Sequence, residues 1–381
     1  MKYNQIGKTK YKVSEIGFGA EWIENKEYSE IEKLVKYCEN EGINLLDCWM
    51  SNPKVRSNLG KAIHKNRRKW IIQGHIGSTW QNEQYVKTRE MDKVVSAFED
   101  LLTRLQTNYI EFGMIHYVDE IKDYDKIMNS EFIEYVRELK KDEKIKHIGL
   151  STHNPEVAIK AAKNPEIELI MISVNPAFDM MPPVLLDDYF DNDKYSQNLG
   201  GIQPIRTELY QTCLENDTAI TIMKGFAGGR LLNKEDSPFG VALTPLQCIH
   251  YALNRPSAKS ILVGVKNIEE LKETLKYETA TEEEKDYSKI LRTAPKHSYL
   301  GKCTYCGHCA PCPKGINIAM LNKLYDLATV HEDIPLSIRE HYNNLEAHAI
   351  DCFGCKHCEE RCPFGVEIIE IMKKAYDLFG K

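Results

Sequence analysis

Val94-Val-Ser-Ala-Phe-Glu-Asp-Leu-Leu-Thr-Arg-Leu-Gln-Thr-Asn-Tyr-Ile-Glu-Phe-Gly-Met-Ile-His116 changes period near its middle, and that change decides the fold. Val94, Val95, Phe98, Leu101, Leu102 and Leu105 repeat at helical spacing, whereas Tyr109–His116 is a short apolar run of strand length. The same alternation extends outward over roughly residues 13 to 275. Candidate strands are Ser14–Phe18, Asn44–Asp47, Trp70–Gly74, Tyr109–His116, Lys146–Leu150, Leu169–Val174, Ala219–Met223 and Ser260–Val263. Between them lie amphipathic helices. Ile31, Leu34, Val35 and Cys38 form one apolar stripe, with Gly42 placed to end that helix, and Phe132, Ile133, Val136 and Leu139 form another. Eight strands, each followed by a helix, predict an α/β fold of the (β/α)8 barrel type. No dinucleotide-type glycine fingerprint follows the first strand, which argues against an open sheet. Residues 1–13 are expected to form a small hairpin capping the barrel bottom.

Eight of the twelve cysteines lie in the last eighty residues, in two runs. The first is Cys303-Thr-Tyr-Cys306-Gly-His-Cys309-Ala-Pro-Cys312-Pro313, and the second is Cys352-Phe-Gly-Cys355-Lys-His-Cys358-Glu-Glu-Arg-Cys362-Pro363. Three thiolates at C-x2-C-x2-C spacing grip one cubane, while the fourth Cys, followed by Pro, ligates the other cluster in two-cluster ferredoxins. Two [4Fe–4S] clusters are therefore expected. Cys303, Cys306, Cys309 and Cys362 would hold the first, and Cys352, Cys355, Cys358 and Cys312 the second. Structural zinc and disulfides are the rival readings, but zinc usually pairs two Cys with two further ligands across a longer gap. His308 and His357 sit inside the cluster loops, as tuning groups for cluster sulfur or as solvent-facing residues. The acidic stretch Thr281–Arg292 reads as a bridging helix, with a domain boundary near Pro295. A barrel over 1–294 and a small α-rich, ferredoxin-like domain over 295–381 follow.

Composition narrows the function classes. The chain has 381 residues, a net charge of −6 and 42% hydrophobic residues, and it has no low-complexity tract. Lys and Arg are scattered, so there is no basic footprint for nucleic acid. No apolar stretch reaches membrane-spanning length, and MKYNQIGKTK lacks the apolar core of a signal peptide. A cytoplasmic setting is expected, and thiolate clusters fit a reducing, anaerobic interior. Cys38, Cys48, Cys213 and Cys248 read as buried small hydrophobes.

Chemistry in such barrels sits where strands end on the C-terminal face. The residues at or just past those ends are Glu21, Asp47, His75, His116, His153, Asn175 and Lys224. Any one of them is unremarkable, but seven polar residues converging on one mouth form a candidate site. Trp22, Trp49 and Trp80 follow the first three strands, as pocket walls or as ordinary packing. Gly225, Gly228 and Gly229 with Arg230 form a short loop of the kind that can hold an anion by its N–H groups.

Several segments together resemble the aldo-keto reductases, in the branch that carries a C-terminal ferredoxin-like domain. They are Glu15-Ile-Gly-Phe-Gly19, Gly42-Ile-Asn-Leu-Leu-Asp47, Asn58-Leu-Gly60, Tyr109–His116, His147-Ile-Gly-Leu-Ser151, Met223-Lys-Gly-Phe-Ala-Gly-Gly-Arg-Leu231 and Val263-Gly-Val-Lys266. The resemblance implies a tetrad of Asp, Tyr, Lys and His, in which Tyr protonates a carbonyl while NADPH delivers hydride. Asp47 and His116 match it. Asn52 stands at the Tyr position and His75 at the Lys position. An amide does not titrate and cannot act as a general acid. Tyr85, Tyr117 and Tyr28 are the tyrosines available from loops, and nothing in the sequence selects one.

The implied nucleotide site is altered as well. Lys266 and Ser151 are the weak candidates for cofactor contacts. Ser151-Thr152 replaces the usual Ser-Asn, Ser173 stands where Gln is common, Asn175-Pro-Ala-Phe-Asp179 takes the place of the stacking aromatic, and Thr274 follows Glu273 where Asn is usual. These departures argue against NAD(P)H.

Three functions follow. In the first, single electrons pass through the clusters to or from a small molecule at the barrel mouth. His75 and His116 move protons there, Asp47 orients them, and Lys224 stabilises an anion. Ferredoxin or flavodoxin is then the expected electron partner, and a homodimer is compatible with it. In the second, a nicotinamide-dependent reductase uses a rearranged acid. In the third, His75, His116 and His153, with Asp47 or Glu21, bind a metal for non-redox chemistry and the clusters are structural.

Overall fold

A computed structural model describes residues 1–180, 203–237, 239–287, 290, 303, 309–329, 333–334, 336–362 and 365–381. Two short strands, β1 (Tyr3–Gln5) and β2 (Lys12–Ser14), pair antiparallel as the expected N-terminal hairpin. The barrel strands are β3 (Ile16–Gly19), β4 (Leu45–Cys48), β5 (Ile71–Ile76), β8 (Ile110–Ile115), β9 (Ile145–Thr152), β10 (Leu169–Ser173), β11 (Ala219–Met223) and β12 (Ala258–Gly264). They close in the parallel order β10-β11-β12-β3-β4-β5-β8-β9. All eight strands expected from the sequence are present, with no end shifted by more than two residues. One hairpin was not expected: β6 (Ser78–Gln81) and β7 (Gln84–Lys87) pair antiparallel just after β5.

The hydrophobic filling of the barrel follows the two-residue period of its strands. Leu45, Ile71, Phe112, Leu169 and Ala219, at or near the strand starts, pack with Ile6 and Val13 of the N-terminal hairpin. That hairpin therefore closes the end opposite the strand C-termini. Two and four residues further along the same strands, the inward set turns polar: Asp47, Gln73, His75, Ser173 and Thr221 are all buried. The sequence thus builds an apolar floor beneath a polar mouth.

Helix placement depends on close backbone approach at Gly60. The helix Pro53–Ile63 lies against the end of the helix Met91–Arg104, and a Cβ at Gly60 would overlap the Arg104 carbonyl. The Asn58-Leu-Gly60 segment is therefore a packing requirement, with glycine the only side chain that fits.

The acidic stretch after the barrel opens with a helix over Glu282–Lys285, with Thr281 as its cap. Asp286 has extended backbone, Ile290 is helical, and residues 288–289 and 291–292 lie outside the described residues. Pro295 lies outside the described residues.

By backbone proximity the chain forms two units. One holds Met1–Asn175, Pro204–Gly225 and Pro245–Asp286, and the other includes Phe226–Thr244 and Tyr287–Lys381. The second unit is helical in its described C-terminal part, with Ile318–Thr329, Leu336–Asn343, His357–Glu360 and Ile368–Phe379. Tyr342 organises it. Its ring stacks on Phe379 at 3.9 Å, and its hydroxyl donates to the Lys381 carbonyl and accepts from the Ala349 N–H.

Candidate active site

Asp47, His75 and His116 meet because strand register brings them together. Asp47 pairs with Gln73 across β4 and β5, which sets His75 one inward position higher, and His116 follows β8 with its N–H on the Ile76 carbonyl. His75 Nε2 lies 3.0 Å from Asp47 Oδ1, and His75 Nδ1 lies 2.9 Å from His116 Nδ1. Gln73 Nε2 donates to the same Asp47 oxygen at 3.2 Å. All three titratable groups are at least nine-tenths buried, with 2% exposure at Asp47, 3% at His75 and 6% at His116.

The structure adds a fourth member. Tyr85, on the β6–β7 hairpin, places its hydroxyl 2.6 Å from His116 Nε2. Trp49, just past β4, stacks on His116 with planes 6° apart and meets the Tyr85 ring edge-on. The hairpin is stitched down. Ser51 Oγ donates to the Thr79 carbonyl, Ser78 Oγ to the Trp49 carbonyl, and Thr79 Oγ1 to the Val86 carbonyl, each at 2.7 Å. Behind the site, Arg89 donates to the His116 carbonyl at 2.8 Å and pairs with Asp123 at 2.9 Å.

Sequence reasoning named Tyr85 among three tyrosines without a ground for choosing it. The signal was faint because the hairpin turns at Asn82-Glu83, both at positive φ, where Asn-Gly is the recognisable pair.

The other expected residues lie elsewhere. Asn52 caps the helix Pro53–Ile63, accepting from the Lys54 and Val55 N–H groups. Lys224, at left-handed φ +57, pairs with Glu21 at 3.7 Å, and its carbonyl accepts from Asn175 Nδ2. Ser151 Oγ accepts the Tyr117 N–H at 2.8 Å. Lys266 lies just before the helix Ile268–Leu275, where its N–H donates to Glu270 and Asn267 forms the cap.

His153 turns to Asp119, at 3.1 Å. Burial by itself would raise the Asp119 carboxyl, but His153 and the surrounding donors outweigh it and hold the group below the usual range. With His153 committed there, the three histidines do not converge. Among the described residues no three His, Cys, Asp or Glu side chains gather as ligands of a single metal ion, which removes the geometry required by the metal-dependent reading. The Ser173 and Thr221 hydroxyls are buried without a protein hydrogen-bond partner, so the mouth retains polar capacity.

In the second unit, Cys312, Cys352, Cys355 and Cys358 line one cavity, with Ile316, Ile318, Ile368 and Met372 among its walls. Four thiols in apolar surroundings suit a cubane, which takes one sulfur at each iron rather than four on a single centre. Cys303 Sγ accepts from Asn322 Nδ2 at 3.1 Å, and Arg361 donates to the Cys309 and Pro311 carbonyls. Cys306 and His308 lie outside the described residues. Arg230 lies 4.0 Å from Asp326, so its guanidinium has a carboxylate neighbour.

The chain thus joins a closed parallel barrel, with a buried acid–imidazole chain at its strand ends, to a cysteine-rich helical region. Comparison with known proteins makes this specific. The Aldo/keto reductase family pattern matches residues 15–242, and the 4Fe-4S dicluster domain pattern matches residues 291–367. The uncharacterized oxidoreductase YqkF of Bacillus subtilis (strain 168) is 25% identical over 301 residues, 74% of this chain and 94% of its own. The aldo-keto reductase YhdN of the same organism is 28% identical over 166 residues, 41% of this chain and 48% of its own. Among solved structures, the holo form of aldo-keto reductase AKR11C1 from Bacillus halodurans superposes with a TM-score of 0.61 at 22% identity. The match covers 78% of this chain and 97% of that one. The chain belongs to the Aldo/keto reductase family and carries a C-terminal 4Fe-4S dicluster domain.

Proposed function

We propose that the protein is an oxidoreductase in which two [4Fe–4S] clusters, when bound, exchange single electrons with a small-molecule substrate at the C-terminal mouth of the barrel. The observation that carries this reading is the Asp47–His75–His116 chain. It occupies the place where the family resemblance implies an Asp–Lys pair activating a Tyr, and it leaves Asn52 with a structural task. Imidazoles in sequence on a carboxylate hold and pass protons, which any reduction that leaves hydrogen on the substrate requires. Asp47 orients His75 and supplies its counter-charge. Lys224, with Glu21, adds a cation–anion pair for positioning an anionic substrate.

Cys303, Cys306, Cys309 and Cys362 are assigned to one cluster. Cys352, Cys355, Cys358 and Cys312 are assigned to the other, an assignment supported by the cavity those four share. The barrel domain spans 1–294 and the cluster domain 295–381. A cytoplasmic ferredoxin or flavodoxin is the electron partner, and a homodimer is compatible with this role. No helix among the described residues is long and apolar enough to cross a membrane.

NAD(P)H is not required by this reading. The Ser151 hydroxyl accepts a backbone N–H, and the loop before the helix Ile268–Leu275 is occupied with its own cap. Anaerobic titration of the cluster-loaded protein with NADPH, NADH and reduced ferredoxin, followed by cluster absorbance, tests it. Bleaching by reduced ferredoxin alone is expected. Binding of either nicotinamide with bleaching would replace the proposal by a nicotinamide-linked reductase.

A further inference from the structure

We infer that Asn322 raises the reduction potential of the cluster held by Cys303, through a hydrogen bond to the sulfur of that ligand, and leaves the other cluster unaffected. The inference rests on the reading of the two cysteine runs as cluster ligands. It deepens that reading by naming a side chain that controls one cluster.

Asn322 lies in the helix Ile318–Thr329, where Ile318, Ala319, Leu321 and Leu324 are buried apolar residues. Asn322 itself is 0% exposed. Its Nδ2 donates to Cys303 Sγ at 3.1 Å, whereas its Oδ1 is buried with no hydrogen-bond partner in the protein. An amide with one end unmatched weakens a fold, because a desolvated acceptor is left without a donor. A leucine of similar size would remove that loss, so stability does not account for an asparagine here. The ligand does. A thiolate only accepts, and the NH2 end of the amide is the end that can face it.

The surroundings of Cys303 fit a cluster drawn from both runs. Arg361, the residue before Cys362, donates to the Cys309 carbonyl at 2.6 Å and to the Pro311 carbonyl at 2.8 Å, which ties the end of the second run to the first. When a [4Fe–4S] cluster is bound, reduction adds one electron, and its charge spreads over the core and the ligating sulfurs. A hydrogen bond to such a sulfur strengthens as the negative charge grows. It therefore favours the reduced form and raises the potential. The low dielectric around a fully buried amide increases the effect.

Nearby cations do not select one cluster in this way. Arg361 also lines the cavity of Cys312, Cys352, Cys355 and Cys358, so its charge acts on both clusters. Lys314 lines that cavity as well, but it is exposed and its charge is screened by solvent and salt. Asn322 carries no charge, does not line that cavity and donates to a ligand of the first run. A neutral donor acts over hydrogen-bond range, which confines its influence to the cluster whose sulfur it touches.

The test is an EPR-monitored potentiometric titration of the full-length, cluster-loaded protein and of Asn322→Leu. One midpoint is expected to fall in the variant by about tenfold in the ratio of reduced to oxidised cluster, which is about 59 mV for one electron. The other midpoint should stay in place, and thermal stability should hold or rise. Unmoved midpoints, or both moving together, would overturn the inference. A second measurement needs no Asn322 variant. In the reduced parent protein labelled with 15N-asparagine, pulsed EPR is expected to show a nitrogen coupled to a cluster, and absence of coupling rules the hydrogen bond out. Cys303→Ala should abolish that coupling while the remaining cluster keeps its signal; coupling that persists there puts the asparagine on the wrong cluster. Iron content separates the failures. A chain that takes up no iron loses the cluster reading and this inference together, whereas loaded clusters with unmoved midpoints lose the inference alone.

Discussion

Asn52 accepts two N–H groups at the start of the helix Pro53–Ile63, and that use accounts for an amide at a position otherwise associated with acid chemistry. Asn52→Ala is therefore expected to lower unfolding free energy by about 1 kcal/mol, the ordinary value of an N-cap. Chemical denaturation checks this, and a stability loss near zero would deny the cap its role. The scattered cysteines are also settled residue by residue. Burial pushes the Cys48, Cys213 and Cys248 thiols up to about 12 and raises Cys38 as well, so none of the four is a thiolate at neutral pH. They act as small apolar fillers.

The β6–β7 hairpin is the element on which the site depends. Its strands are short, and a lone hairpin is marginally stable in water, so its position comes from docking onto the loop after β4 and from Arg89 at its base. Asp123 anchors that arginine. Burial opposes ionisation of Asp123, but the hydrogen bond and charge of Arg89, together with Lys87, prevail and hold its carboxyl below the ordinary 3.8. A lowered folded value adds stability that is present above the unfolded value and is lost as pH falls through the folded one. The melting temperature of Asp123→Asn should thus lie below that of the parent at pH 7, with the gap closing below roughly pH 4. A gap that stays constant with pH would assign the effect to packing instead.

At the scale of the molecule, a closed barrel is followed by a unit in which cysteines of both runs line one cavity. Cys312 belongs to the first cysteine run, yet it lines the cavity of Cys352, Cys355 and Cys358. Cys312→Ala is accordingly expected to remove the cluster of the second run, taking iron from roughly eight to roughly four per chain, while the cluster of Cys303 remains. Iron analysis with EPR of the reduced protein decides it. Loss of the Cys303 cluster instead would mean that each run serves its own cluster. Because structural metal binding contributes to folding, thermal stability of the cluster domain should fall in the same variant.

Much of this architecture was legible in one dimension. Helical and strand periods are local properties of the chain, and an eightfold strand–helix alternation has few closed solutions, so the barrel and its polar strand ends could be read directly. Cysteine spacing is equally local, because a cubane imposes the distances between its own ligands. The partners of the strand-end residues were not legible. The contacting pairs Asp47–His75, His75–His116 and Tyr85–His116 are 28, 41 and 31 positions apart in the chain. Their contacts depend on strand register and on the docking of a hairpin with an inconspicuous turn. The sequence by itself determined the barrel, the spacing of the two cysteine runs and the polarity of the strand ends. Only the tertiary structure sent His153 to Asp119, Lys224 to Glu21 and Tyr85 to His116, because hydrogen bonds of a few ångströms are selected by packing that no local period encodes.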